Sequence, residues 1–212
     1  MAPMDKRRFL HCVGASALAR GVGFTLLGSG LAACSESTPK QSFRAVDLTG
    51  ADYAKDFSLT DADGRRRTLA DFKGKVVVMF FGYAQCPDVC PTTMTEMAQV
   101  RQQLGKDADK LQVVFVTVDP ERDTAPVMKA YTQAFDPSIV ALIPTPEELA
   151  ALSKDFKFYY KKVEGSTPTS YSMDHSAASY VYDPAGRLRL YSRYGSGVEP
   201  MVADVKTLLA QG

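Results

Sequence analysis

The sequence predicts an α/β fold, one mixed sheet covered by helices on both faces, from three observations. The run Val76 to Phe81 is continuously apolar, and Leu111 to Asp119 is a second mostly apolar run, neither with the alternation of a half-exposed strand. Such runs, rich in β-branched and aromatic residues, mark strands buried on both faces. Segments with helical spacing separate and follow them, and the chain closes on two alternating strands and a last helix, the order of a layered α/β domain.

In chain order, Phe57 to Thr60 and Thr68-Leu69 flank Asp61-Ala62-Asp63-Gly64, a hairpin signal with glycine in the turn. The Arg65-Arg66-Arg67 run beside it reads as a solvated hairpin end. Val76 to Phe81 is the first core strand, broken by Gly82 and followed by Cys86-Pro87-Asp88-Val89-Cys90-Pro91. A helix then runs from about Pro91 to Leu104, with Met94, Met97, Ala98 and Leu104 near one face and Gly105 ending it. Leu111 to Asp119 is the second core strand, and Pro126 opens a helix that ends near Phe135. Thr145-Pro146-Glu147-Glu148 is a capping box with proline at the first helical position, starting a helix that reaches about Lys154. Ser179 to Asp183 and Leu188 to Ser192 pair around Pro184-Ala185-Gly186, and Pro200 to Ala210 is the final helix.

The first 33 residues read as a leader. Lys6, Arg7 and Arg8 form a positive start, and Gly21 to Ala33 is apolar and small, too short to span a bilayer. Leu31-Ala32-Ala33-Cys34 resembles a bacterial lipobox, in which cleavage falls before Cys34 and its sulfur takes lipid. Stable anchoring needs more than one acyl chain. The alternatives are a plain secretory signal and an uncleaved anchor containing Arg20. Arg7-Arg8 followed by Leu10 also has the outline of a twin-arginine export signal. The expected location is the bacterial cell envelope, on the periplasmic face. Residues 34–50 are expected as a polar tether and 51–212 as one domain. The net charge is +1, and removing residues 1–33 leaves 21 basic and 23 acidic residues, a balance of −2. With no long block of like charge, nucleic acid is not an expected partner.

Cleavage simplifies the soft ligands. Cys12 and His11 leave with the leader and Cys34 carries lipid, so Cys86, Cys90 and His175 remain. The cysteines sit where a buried strand runs into a helix, and such strand ends in α/β sheets favour ligand sites. Cys90, ahead of Pro91, is expected to ionise readily on the exposed N–H groups of the helix start. Cys-x3-Cys spacing in a regular helix sets Cβ atoms about 5–6 Å apart. A disulfide needs about 3.5–4.5 Å, so easy bridging requires an irregular turn at Pro87-Asp88. A bridge closing so short a loop would stabilise little, which favours chemistry over a structural disulfide.

Phe81 to Pro91 resembles the signature of the SCO/SenC family. Val118-Asp119-Pro120-Glu121-Arg122-Asp123-Thr124, Asp174-His175-Ser176, Tyr180 and Asp183-Pro184-Ala185-Gly186 are similar to its other blocks, in order. The resemblance covers about residues 50 to 210. It departs at Ile139 to Ile143, where the family has a Gly-Leu-Thr-Gly-like stretch, leaving the conformation of that loop open. The resemblance implies a thioredoxin-like fold with an added N-terminal β-hairpin. It also implies copper held by Cys86, Cys90 and His175, a copper-binding assembly factor rather than an enzyme, and delivery to the cytochrome c oxidase subunit that carries a copper centre. Other copper chaperones and thioredoxin-like reductants are further expected partners.

The donor chemistry agrees. Two thiolates and an imidazole are a soft set suited to Cu(I), and an added oxygen ligand or water would accommodate Cu(II). Zinc, with Asp174 or water as fourth ligand, is the lesser alternative. Asp119 and Asp174 are candidates for orienting the imidazole, with ordinary capping or solvated roles as the alternative for each. Met94, Met97 and Met173 offer thioethers, although helical methionine more often fills core. The rival function is a thiol–disulfide oxidoreductase, with Cys86 attacking and Cys90 resolving. Against it stand the spacing and the lack of a proline immediately before Ser179. A peroxidase of the peroxiredoxin kind lacks its Pro-x3-Thr-x2-Cys pattern before Cys86.

Overall fold

The structure, a computed structural model, describes residues 42–167 and 170–212, so Cys34 and the leader lie outside the described residues. In chain order the elements are β1 (Val46–Asp47), β2 (Leu59–Asp61), β3 (Arg66–Arg67), β4 (Val76–Gly82), α1 (Val89–Leu104), β5 (Leu111–Thr117), α2 (Ala125–Gln133) and β6 (Val140–Ile143). They continue with α3 (Pro146–Asp155), β7 (Tyr160–Val163), β8 (Ser172–His175), β9 (Ser179–Tyr182), β10 (Leu188–Ser192) and α4 (Val198–Gln211). Every residue of β4 and β5 is buried, as their largely apolar runs lead one to expect.

One mixed sheet has the order β1-β10-β9-β4-β5-β6-β2-β3. The central strands β4, β5 and β6 are parallel, and β9 lies antiparallel on the other side of β4. Successive side chains of a strand point to opposite faces, and Phe80 and Phe81 divide the core accordingly. Phe80 meets Phe115, which in turn meets Tyr131 of α2. Phe81 packs on Phe156 and Phe158 just after α3 and on Tyr180 of β9. Helix α4 packs on α1 and β4. Helices therefore cover both faces, as expected.

The N-terminal hairpin forms where the sequence places it, with Gly64 at φ +81° in its turn. The predicted capping box of α3 is present: the Glu148 N–H donates to the Thr145 hydroxyl, and the Thr145 N–H donates to the Glu148 carboxylate.

Three expectations are corrected and one element is added. Residues 43–48, assigned to the tether, belong to the body: β1 pairs with β10, and buried Asp204 of α4 accepts the N–H groups of Arg44 and Ala45, each at 2.8 Å. The open stretch at 139–143 is not a loop but strand β6, tied to both β5 and β2. Its β-branched and apolar residues suit a ladder position that a glycine-rich stretch would weaken. Arg67 is not simply solvated, because its guanidinium lies on the buried Asp61 carboxylate. The β7–β8 hairpin is a separate two-stranded sheet that the sequence reading missed. Among the described residues, no helix is long and apolar enough to cross a membrane.

Candidate metal centre

The site lies at the C-terminal end of β4, on the face shared by Phe80 and Gly82. After Gly82 the chain turns, with the Cys86 N–H donating to the Tyr83 carbonyl at 3.2 Å, and enters α1 at Val89. The helix thus starts two residues before the expected Pro91, which falls in the first turn, where proline costs no hydrogen bond. Cys86 occupies the loop and is half-buried, while Cys90 sits in the first turn and is fully buried.

Gly82 makes room for Cys90. A Cβ at Gly82 would lie 2.7 Å from Cys90 Sγ, 2.7 Å from Phe80 Cε1 and 3.0 Å from Phe115 Cζ. The strand's last residue therefore has no side chain because the sulfur occupies that space.

The third group arrives on the β7–β8 hairpin. Tyr160 pairs with His175, and Ser176 closes the ladder with its N–H on the Tyr159 carbonyl and its hydroxyl under the Tyr159 N–H. The imidazole packs edge-on against Phe80 and Tyr83, with ring centroids 6.0 and 5.9 Å away. Its Nδ1 lies 3.0 Å from the Ser176 carbonyl oxygen, so this nitrogen donates there and Nε2 is the one that faces the sulfurs. Nε2 lies 3.5 Å from Cys90 Sγ. The ligand atoms of Cys86, Cys90 and His175 all fall within 4.8 Å of one another.

Those distances suit a metal ion. Bonds of about 2.3 Å to sulfur and about 2.0 Å to nitrogen, arranged trigonally, hold donor atoms roughly 4 Å apart. Only small adjustments of the Cys86 loop and the imidazole would close the set around an ion.

Neither carboxylate named as an orienting candidate reaches the imidazole. Asp174 neighbours His175 along a strand, so the pleat turns it to the opposite, exposed side. Asp119 is buried but engaged elsewhere, accepting from the Arg122 guanidinium and, at 2.8 Å, from the Tyr171 hydroxyl. The Ser176 carbonyl does the orienting, a backbone contact that no sequence motif announces. Met94 and Met97 are buried in the core.

The two thiols are unequal, in the opposite sense to the expectation. Cys86 is held down to about 4, first by the Cys90 thiol that donates to it, then by His175 and the N–H groups of Asp88 and Cys90. The Cys90 N–H to Cys86 Sγ distance is 3.4 Å. Cys90 is pushed up, because its proton is held by Cys86 and because it is buried. The free N–H groups of the helix start point at the loop sulfur, not at the sulfur inside the first turn. Asp123, buried nearby and raised by its burial, adds a further small penalty to a Cys90 thiolate.

A thiolate, a thiol and an imidazole thus converge at the end of a central strand, on a thioredoxin-like scaffold of sheet and flanking helices. Sequence comparison agrees: residues 46–210 match the SCO1/SenC family, and the chain belongs to that family. It is 36% identical over 157 residues to the mitochondrial SCO2 homolog of Mus musculus, a match covering 73% of this chain and 62% of the relative. The chain therefore spans less than two thirds of that relative's length. Among solved structures, it resembles Bradyrhizobium japonicum ScoI with copper bound, at 41% identity and a TM-score of 0.66, covering 72% of this chain and 97% of that one. It also resembles a SCO1/SenC family lipoprotein from Bacillus anthracis, at 26% identity and a TM-score of 0.63, covering 74% of this chain and 98% of that one.

Proposed function

We propose that this chain is a copper-delivery protein that carries one copper ion on Cys86, Cys90 and His175 and hands it to the copper centre of cytochrome c oxidase. The observation that carries the reading is the convergence of two sulfurs and an imidazole nitrogen within 4.8 Å. The copper bound by the Bradyrhizobium relative at 41% identity supports the choice of metal. So does the donor set, because soft, low-coordinate sulfur and nitrogen suit Cu(I) and a water or oxygen ligand extends the site to Cu(II). Copper is cargo here: Cys86, already a thiolate and half-exposed, meets the ion first, and Cys90 and His175 complete the set. The oxidase partner follows the family resemblance. Lipid on Cys34, holding the domain at the periplasmic face of the envelope, is part of the same reading and has the lipoprotein relative behind it.

The inequality of the thiols favours a second activity, thiol–disulfide exchange. The Cys86 thiolate would attack a partner disulfide, forming a mixed disulfide and releasing a partner thiolate. Cys90, once deprotonated, would attack Cys86 Sγ, leaving a Cys86–Cys90 disulfide and a reduced partner. His175→Ala separates the two activities. It is expected to keep a reducible cysteine pair and near-normal melting, to bind copper far more weakly in chelator competition, and to fail in oxidase assembly. Wild-type copper affinity and oxidase activity in that variant would refute the three-ligand site. Loss of a measured reductase rate alone would put the exchange activity first.

A further inference from the structure

We propose that Arg122 is a positioning residue for the metal site: its guanidinium clamps the hairpin that carries His175 against the loop that carries Cys86. The inference rests on the copper-site reading above and adds a residue that touches none of the three ligands.

Arg122 follows β5, yet its side chain reaches three separate segments. Its Nε donates to Asp119 in its own loop. Its Nη1 donates to the side-chain oxygen of Gln85, the residue before Cys86, at 3.3 Å, and to the Tyr171 carbonyl, one residue before β8, at 2.8 Å. The guanidinium carbon lies 3.5 Å from the centroid of the Tyr171 ring and 5.9 Å from that of Tyr83. These two rings continue the clamp toward the site. Tyr171 donates its hydroxyl to Asp119, and Tyr83 packs edge-on against His175. Arg122 therefore connects Gln85, Tyr83 and Tyr171, and through them the neighbours of Cys86 and of His175.

Two features mark this as a clamp and not an ordinary surface ion pair. The Arg122 side chain is only 16% exposed, and its Nη2 is buried without an acceptor. The fold leaves one strong donor unpaired and keeps the flat guanidinium between aromatic faces, where a cation is attracted to the π clouds. The clamp also acts where it is needed. Among the described residues only the Tyr160 to Val163 strand pairs with β8, so there the hairpin joins no larger sheet, and its placement depends on side-chain contacts such as these. Lysine would not replace arginine, because an ammonium neither stacks flat nor donates along a fork.

The test uses the full-length chain in detergent and a double-mutant cycle with His175. Cu(I) competition against a chromophoric chelator is expected to show Arg122→Ala weakening binding roughly tenfold. Arg122→Lys should recover less than half of that loss. In a His175→Ala background, Arg122→Ala should change the affinity less than twofold, because there is no longer a ligand to position. Wild-type affinity in Arg122→Ala, or an equal loss with and without His175, would overturn the proposal. If Arg122→Ala lacks a cooperative melt, Arg122→Lys carries the test, and wild-type affinity in it overturns the proposal. A metal-free readout keeps this outcome apart from failure of the copper reading. The imidazole carbon-bound proton signals of His175 in the apo protein should broaden or shift in Arg122→Ala. Unchanged signals refute the clamp even if no variant binds copper, and absent copper binding by the wild type refutes the proposed function instead.

Discussion

Replacing Gly82 by alanine is a sharp test of the cysteine geometry, because it adds one carbon at a position whose neighbours are fixed. Gly82 has ordinary strand backbone and does not need a left-handed φ, so the substitution acts through space alone. The new Cβ would lie 2.7 Å from Cys90 Sγ and from Phe80 Cε1, and 3.0 Å from Phe115 Cζ. Comfortable contacts are about 3.5–4.0 Å, so the sulfur or the strand has to retreat by roughly 1 Å. Phe80 and Phe115 are fully buried and cannot move into solvent, which leaves Cys90 and the first turn of α1 to shift. Overpacking of this kind costs about 1–3 kcal/mol. For a domain of this size that lowers the melting temperature by roughly 2–12 °C. Metal sites tolerate donor shifts of only about 0.2 Å, so copper affinity should fall on the order of tenfold or more. Thermal melting of the apo protein and chelator competition measure the two effects on one sample. If Gly82→Ala melts and binds copper like the wild type, Cys90 Sγ does not occupy the space beside Gly82 and the site geometry is wrong.

Two further outcomes follow from the same residues. With Cys86 held down to about 4 and Cys90 pushed up, copper loading at pH 7 should release about one proton, from Cys90. Affinity should then rise about tenfold per pH unit between pH 7 and 8, and calorimetry in buffers of different ionisation enthalpy counts the protons. Release of two would mean that both thiols start protonated. Cys34→Ser should move the protein from the membrane to the soluble periplasmic fraction, and a variant that stays with membranes would point to an uncleaved anchor.

The central fold was legible because its signals are local and strong. Val76 to Phe81 is apolar on both sides of the chain and Leu111 to Thr117 mostly so, and a strand between two layers suits such a pattern. The α3 capping box is written in four consecutive residues. Strand β6 was less visible because Val140 to Ile143 is short and its neighbour β2 lies far away in sequence. The β7–β8 hairpin was invisible for a physical reason. Most of its residues are exposed, Lys161 and Lys162 among them, so β7 shows no alternation, and the alternation of β8 spans only four residues. Its cohesion comes from Tyr159, Ser176, Tyr171 and Arg122, contacts that close over long sequence distances.

Within the site, residue identity was readable and the distribution of charge was not. Elimination left two thiols and one imidazole, and the fold brings those three together. Which sulfur ionises depends on where the helix begins, and a shift of two residues reverses the answer. With the helix starting at Pro91, Cys90 would be the capping group facing free N–H donors. With it starting at Val89, those donors face Cys86, while Cys90 turns under Gly82 into the core. The Cys-x3-Cys spacing accommodates this division because its extra residue places the first sulfur in the loop and the second in the helix. The accessible thiolate is then available to an incoming cation or a partner disulfide, and the buried thiol commits only when its proton leaves. Copper capture and disulfide exchange share that first step and diverge at the second, where His175 matters to one and not to the other.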